Sequence, residues 1–269
     1  VGLFFFLSGL LIAGSVARSG KASFWAARVR RIFPGLSVAL LVTLAIALAS
    51  GAAAPFSEMA LWYLRALSLV SIEHRLPGAF AGNPFPGVVN GPLWSLFYEV
   101  VAYGICACFV WIFGTRRPWA VAALLTVAVS GALLHDLIPG RFGVFAPLFA
   151  AFAFGMVAYV CREKIRLGAG VAVVCICLAF CLPWQLAVGP VGLFALVLAA
   201  RVPPVKLQCD PSYGLYIYGW PVSQAIVHLG LGVSPVALAV LAVLATLPLA
   251  FLSWHLVERP SLSARRATV

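Results

Sequence analysis

Long apolar runs, broken at short intervals by Pro, Gly and clustered Arg, dominate the pattern of this chain. A helix needs about 20 predominantly apolar residues to cross a hydrocarbon core. Nine stretches approach or reach that length: 1–17, 31–50, 92–113, 118–137, 142–161, 168–184, 185–200, 211–229 and 234–257. None shows the period-2 polar alternation of a barrel strand, so a β-barrel is excluded. The pattern predicts an all-α, polytopic transmembrane helix bundle forming a single domain over 1–260, with a cytoplasmic tail at 261–269. At Leu182-Pro183-Trp184-Gln185 it predicts a break between the sixth and seventh stretches, as a tight turn or a kink.

The segment 51–91 breaks the pattern. Residues 57–72 predict one further helix, with Ser57 as N-cap and Glu58 in the first turn. Glu58 and Arg65, seven apart, share one face, while Leu61, Trp62, Leu64 and Leu69 fill the rest. This is the pattern of an amphipathic helix lying along a membrane interface. A run rich in Pro and Gly, 76–87, follows and leads directly into the third apolar stretch. Two readings stand: a structured loop forming the mouth of a binding site, or an ordinary connection.

Composition sharpens the class. Of the 269 residues, 64% are hydrophobic and 9% charged, with a mean hydropathy of +1.08; a soluble domain carries about 25% charged residues. The charges also orient the bundle. Apart from Arg65, Arg75 and Arg141, all 18 Lys and Arg fall in alternate connections or the C-terminal tail, which places those segments in the cytoplasm. The net charge of +11 is therefore a topological signal. Split among membrane-flanking clusters, it forms no stripe for nucleic acid. There is no initiator Met, and Val1 enters an apolar stretch from the non-cytoplasmic side, so a preceding helix is expected, making ten. The seven cysteines lack the spacing and neighbours of a metal site or disulfide framework and are read as small buried apolar residues.

Two constellations carry candidate chemistry. Glu99 is the one acidic residue well inside an apolar stretch. An ionisable side chain there costs about 2.5–3.5 kcal/mol on insertion scales and is a functional candidate by default; the alternative is a protonated carboxyl that ties two helices together. Arg28 and Arg31, three apart before the second stretch, share a face if the segment is helical. Their guanidinium forks suit phosphate, and the alternative is a purely topological role.

Four separated blocks resemble the acyltransferase 3 family of integral membrane O-acyltransferases. Phe4-Phe5-Phe6-Leu7-Ser8-Gly9 is similar to its second-helix pattern, and Arg28-x-x-Arg31-Ile32-Phe33-Pro34 to its arginine motif. Leu93-Trp94-Ser95-Leu96-Phe97-Tyr98-Glu99 resembles its Leu-Trp-Ser/Thr-Leu-x-x-Glu signature. Ser212-Tyr213-Gly214-Leu215-Tyr216, Trp220-Pro221 and Glu258-Arg259-Pro260 resemble its last two helices.

The resemblance implies a ten-helix bundle in the bacterial inner membrane. It would move an acyl group, usually acetyl, from acyl-CoA as co-substrate onto a hydroxyl of an extracytoplasmic glycan or lipid-linked sugar, with no bound cofactor or metal. It implies Glu99 as the catalytic carboxylate, Arg28 and Arg31 as donor-binding residues, and Trp94, Ser95 and Tyr98 as acceptor-side or supporting residues. The family's histidine and partner arginine belong to the helix expected before Val1, and His74, His135, His228 and His255 do not occupy that motif. Gly219 stands where many members have a histidine. The rival reading is a transporter or flippase of lipid-linked sugars using Glu99 as a coupling site; against it stand the lack of an internal repeat and of a second intramembrane charge.

Overall fold

A computed structural model describes residues 1–70, 75–115, 117–165, 167–203, 209–231 and 234–263. Arg116, Arg166, Lys206, Arg265 and Arg266 of the basic clusters, His74, the end of the helix expected at 57–72 and most of the tail lie outside the described residues. The chain is all-α. Its helices are α1 (Gly2–Arg18), α2 (Lys21–Ala49), α3 (Phe56–Ser68), α4 (Leu93–Phe113), α5 (Pro118–Leu133), α6 (Arg141–Val160), α7 (Ala169–Cys181), α8 (Trp184–Ala199), α9 (Ser212–His228), α10 (Pro235–Ser253) and α11 (Arg259–Ser263). A π-helical turn, Trp254–Glu258, joins the last two without a break.

Every apolar stretch carries a helix. Four are long and apolar enough to cross a membrane: Lys21–Ala49, Leu93–Phe113, Arg141–Val160 and the continuous Pro235–Ser263. Shorter apolar helices occupy Gly2–Arg18, Pro118–Leu133, Ala169–Cys181 and Trp184–Ala199.

Several boundaries depart from the sequence pattern, each for a local reason. Helix α2 starts at Lys21, ten residues before the apolar run at 31. Lys, Ala and Arg are good helix formers even where charge lowers the hydropathy, so Arg28 and Arg31 do share a helical face. Helix α3 begins at Phe56 after Pro55, and Ser57 is inside its first turn instead of capping it. It ends at Ser68 because Leu69 turns left-handed, with φ of 59°. The 182–185 break is a turn: Leu182 and Pro183 are extended, and α7 and α8 pack against each other as a hairpin. The fourth stretch stops at Leu133, where His135 and Asp136 enter a single 3₁₀ turn.

The helices gather into two compact units, Val1–Phe24 with Tyr98–Val205, and Trp25–Phe97 with Lys206–Val269. In the first, α1 lies against α6, with α5 and α8 packed alongside α6. Gly9 and Gly155 permit this approach. A Cβ at Gly9 would strike the Phe152 carbonyl, and one at Gly155 the Phe6 carbonyl. Small residues at such crossings let apolar helices gain close van der Waals contact where no hydrophobic driving force exists. In the second unit α9 packs on α10, and Ala39 of α2 joins Ile217 and Tyr218 of α9 in a buried cluster.

The cysteines divide by helix face. Cys106 and Cys175 are buried, but Cys108, Cys177 and Cys181 are exposed, contrary to the expectation that all are buried. Two residues apart on a helix, at most one of a pair such as Cys106 and Cys108 can face inward. An outward face against lipid suits a small apolar side chain equally well.

Candidate functional site

The first unit builds a polar centre from Ser8, Glu99 and Tyr103. Glu99 is only 4% exposed, and Tyr103, four residues on, lies on the same face of α4. The Tyr103 hydroxyl donates to Glu99 Oε1, and Ser8 Oγ donates to the same oxygen at 3.0 Å. Ser8 owes its position to the residue beside it, since Gly9 lets α1 settle onto α6. Tyr98, one residue before Glu99, is buried and stacks on Phe145 at 5.8 Å between centroids. Two hydroxyl donors on one oxygen fix the orientation of the carboxylate. A positioned carboxylate is one of the side chains that can serve as a general base.

The second unit contains a different centre around Arg31. Its Nη2 donates to Asp210 Oδ2 at 2.6 Å and its Nη1 to Glu258 Oε2 at 3.3 Å. Ser253 Oγ donates to the other Glu258 oxygen at 3.1 Å. The guanidinium carbon lies 5.8 Å from the centroids of both Tyr213 and Trp254, within cation–π range. Glu258 is 1% exposed. The π-helical turn at Trp254–Glu258 widens the helix by a residue per turn there, a device common at functional sites. Gly35, one turn beyond Arg31, keeps the space open: a Cβ there would come within 2.8 Å of the Tyr213 ring and 3.4 Å of Glu258 Cγ.

Asp210 lies in the connection before α9 and is about half exposed. Its Oδ1 accepts from the Ser212 backbone N–H at 3.3 Å and the Ser212 hydroxyl at 2.5 Å, an Asx turn that starts the helix. Partial burial works to raise its pKa, but the Ser212 bonds and the Arg31 charge outweigh burial and hold it below the ordinary carboxylate value. Arg28, half-buried, is one turn before Arg31 on α2.

The turn-rich segment after α3 is ordered by α9 in the same unit. Gln224, 4% exposed, donates to the carbonyls of Phe85 and Val88 at 2.9 and 2.8 Å. Asn83 donates to the Gln224 side-chain and backbone oxygens at 3.0 and 2.8 Å, and Trp220 Nε1 donates to Val88 at 3.0 Å. Asn90 donates to Thr43 Oγ1 and the Ile217 carbonyl. Ser95 and Tyr216 share a hydrogen bond at 2.6 Å, and Tyr216 donates to the Pro92 carbonyl at 2.6 Å. Of the sequence candidates, Ser95 is buried in this web, and Trp94 beside it is half-buried.

Sequence reasoning missed Tyr103, Asp210 and Gln224, and it treated Glu258 only as part of a family block. Tyr103 was findable from its i+4 spacing to Glu99. Asp210 and Gln224 carry no local signal, because their partners are more than a hundred residues away in sequence. Glu258, just past the apolar stretch read from the sequence, is a second buried carboxylate, near the end of a helix long enough to span. At Gly219 a Cβ would meet nothing within 4 Å, so the departure from a family histidine leaves open space. Among the described residues, no group of His, Cys, Asp or Glu is arranged to hold a metal ion.

Comparison with known proteins bears on these two centres together. No solved structure matches the chain. Among named relatives, Nodulation protein 10 of Rhizobium leguminosarum bv. viciae is 27% identical, over 100% of this chain and 83% of its own length. An O-acetyl transferase of Shigella phage Sf6 is 29% identical, over 96% of this chain and 82% of its own length. The family model described as an acyltransferase domain matches residues 1–255, a range that takes in the Ser8–Glu99–Tyr103 centre, Arg31 and Asp210. A match of that extent, on a chain of apolar helices with a hydroxyl-bound carboxylate at its interior, means that this protein belongs to the acyltransferase 3 family and is an integral membrane acyltransferase.

Proposed function

We propose that this acyltransferase moves an acetyl group from acetyl-CoA onto a hydroxyl of an extracytoplasmic or lipid-linked glycan, in the bacterial inner membrane. All nine apolar stretches serve as membrane helices in this reading, with α3 lying at the outer interface. The observation that carries it is the buried Glu99 carboxylate gripped by the Ser8 and Tyr103 hydroxyls. The O-acetyl transferase relative supports the choice of acetyl and of an oxygen acceptor.

In the reaction, the acceptor oxygen attacks the thioester carbonyl, its proton passes to a base, and the tetrahedral oxyanion collapses with loss of the CoA thiolate. Glu99 accepts that proton, and the adjacent tyrosine and serine hydroxyls hold the carboxylate in position. Trp94, Ser95 and Tyr98, on the turns of α4 preceding Glu99, support the acceptor side. Arg28 and Arg31 take the CoA phosphates. Arg31 is already shared with Asp210 and Glu258, so phosphate binding there displaces the half-exposed Asp210 and retains the buried Glu258.

The test is acetyl transfer from labelled acetyl-CoA in membrane vesicles containing the full-length protein, with glycan acceptors presented on the opposite side. Label in the glycan, absent in the Glu99→Gln variant at equal membrane abundance, is the expected result. Label recovered equally with Glu99→Gln removes the carboxylate from the chemistry. Transfer to a cytoplasmic acceptor only would overturn the assigned acceptor.

A further inference from the structure

The first unit contains a feature that the transfer chemistry does not use. A half-open cavity of about 500 Å³ runs along α7. Its wall on that helix is the stripe Val171, Val174, Cys175, Leu178 and Leu182, one continuous face by helical spacing. From 171 to 182 the stripe extends roughly 17 Å at ~1.5 Å per residue. Opposite stand Val157 of α6 with Gly189 and Pro190 of α8, and Phe6 of α1 also lines it. Room for the aromatic rings is made by glycine: a Cβ at Gly192 would collide with Phe6, and one at Gly189 would crowd Phe154 at 3.0 Å.

Two properties define what fits. The lining side chains are apolar throughout, so a polar ligand would lose its hydrogen bonds to water without replacement. The length matches one leaflet, half of the roughly 30 Å hydrocarbon core. A groove of one-leaflet length, open on one side within a membrane protein, accommodates a single extended acyl chain whose sister chain stays in the bilayer. One end is set by Ile165 and Gly170, and the exposed Lys164 immediately precedes Ile165. Juxtamembrane cations attract anionic headgroups by about 1 kcal/mol each.

We infer that the α6–α7–α8 groove is a phospholipid site: it holds one acyl chain of an anionic phospholipid, with the headgroup phosphate at the Lys164 end. The chain is a resident of the fold and not the acyl group transferred, so the inference stands apart from the proposed reaction.

The experiment uses the full-length protein in nanodiscs containing phosphatidylglycerol with a photoactivatable diazirine in its acyl chain, followed by mapping of the labelled residues. Label concentrated on Val171, Val174, Cys175 and Leu178, above Val173 and Phe180 on the outer face of the same helix, is expected. Uniform label around α7 would mean ordinary contact with bulk lipid and would overturn the site. A phosphatidylcholine probe with the same chain should label the groove about fivefold less; equal labelling removes the anionic headgroup from the assignment. Filling the groove with Val174→Phe and Leu178→Phe should abolish the focused label in protein that still elutes as a single folded species. Focused label persisting in that variant would show that the chain lies elsewhere.

Discussion

Glu99 and Glu258 are both carboxylates buried among apolar helices, yet they are held in opposite ways. Glu258 receives a guanidinium and a serine hydroxyl, and its partner Arg31 is bound in turn by Asp210 and flanked by two aromatic rings. Glu99 receives the hydroxyls of Ser8 and Tyr103 on one oxygen. Glu258 is thereby tied to α2 by an ion pair, and losing either partner would leave a buried charge uncompensated. The first arrangement joins α2 to the end of α10 and to the connection before α9; the second holds the carboxylate that serves as base in the proposed reaction.

The comparison breaks most visibly at Glu99. Glu99→Gln keeps volume and most hydrogen bonding but removes the base, and acetyl transfer should fall by about 10²-fold or more at normal membrane abundance. A rate near wild type would turn Glu99 into a joint like Glu258. Arg31→Gln should act on stability as well as on donor binding. It leaves Glu258 buried without its cation, at a cost of about 2 kcal/mol, below the range for fully buried pairs because Arg31 keeps contact with water. Thermal unfolding in detergent reads this, and adding Glu258→Gln to the same chain should recover part of the loss. Unchanged stability with weakened acetyl-CoA use would leave Arg31 with its donor-binding role alone.

Arg28→Gln tests donor binding while leaving the Arg31–Glu258 pair in place. If Arg28 takes CoA phosphate, KM for acetyl-CoA should rise about tenfold, the value of one charge-assisted hydrogen bond, with unfolding temperature unchanged. An unaltered KM leaves Arg28 with a topological role. The smallest effect concerns pH. The folded pKa of Asp210 lies below its unfolded value, so its contribution to stability is complete above the unfolded value and is lost as pH falls through the folded one. Wild type should therefore lose stability relative to Asp210→Asn only below about pH 4, by less than about 1 kcal/mol given the exposure of the carboxylate. A difference between the two that grows above neutrality would contradict the pairing with Arg31.

Hydropathy and charge were enough to read the helical class, the nine apolar stretches and the conspicuous position of Glu99. These are local quantities: burial of a backbone in lipid demands helices whatever their neighbours, and a carboxylate in an apolar run is conspicuous in isolation. The motif resemblance led to the family because its blocks are short and contiguous. Helix ends were less legible. The Lys21 start of α2 depends on helix propensity that hydropathy does not register, and the Ser68 end of α3 on a left-handed Leu69. Pairing was not legible at all. That Arg31 meets Asp210 and Glu258, that Gln224 holds the loop at 85–88, and that Gly9 and Gly155 let α1 and α6 touch follows only from helices far apart in sequence coming side by side. Tertiary packing thus gave two buried carboxylates different partners, because Ser8 and Arg31 reach them from helices far away in the chain.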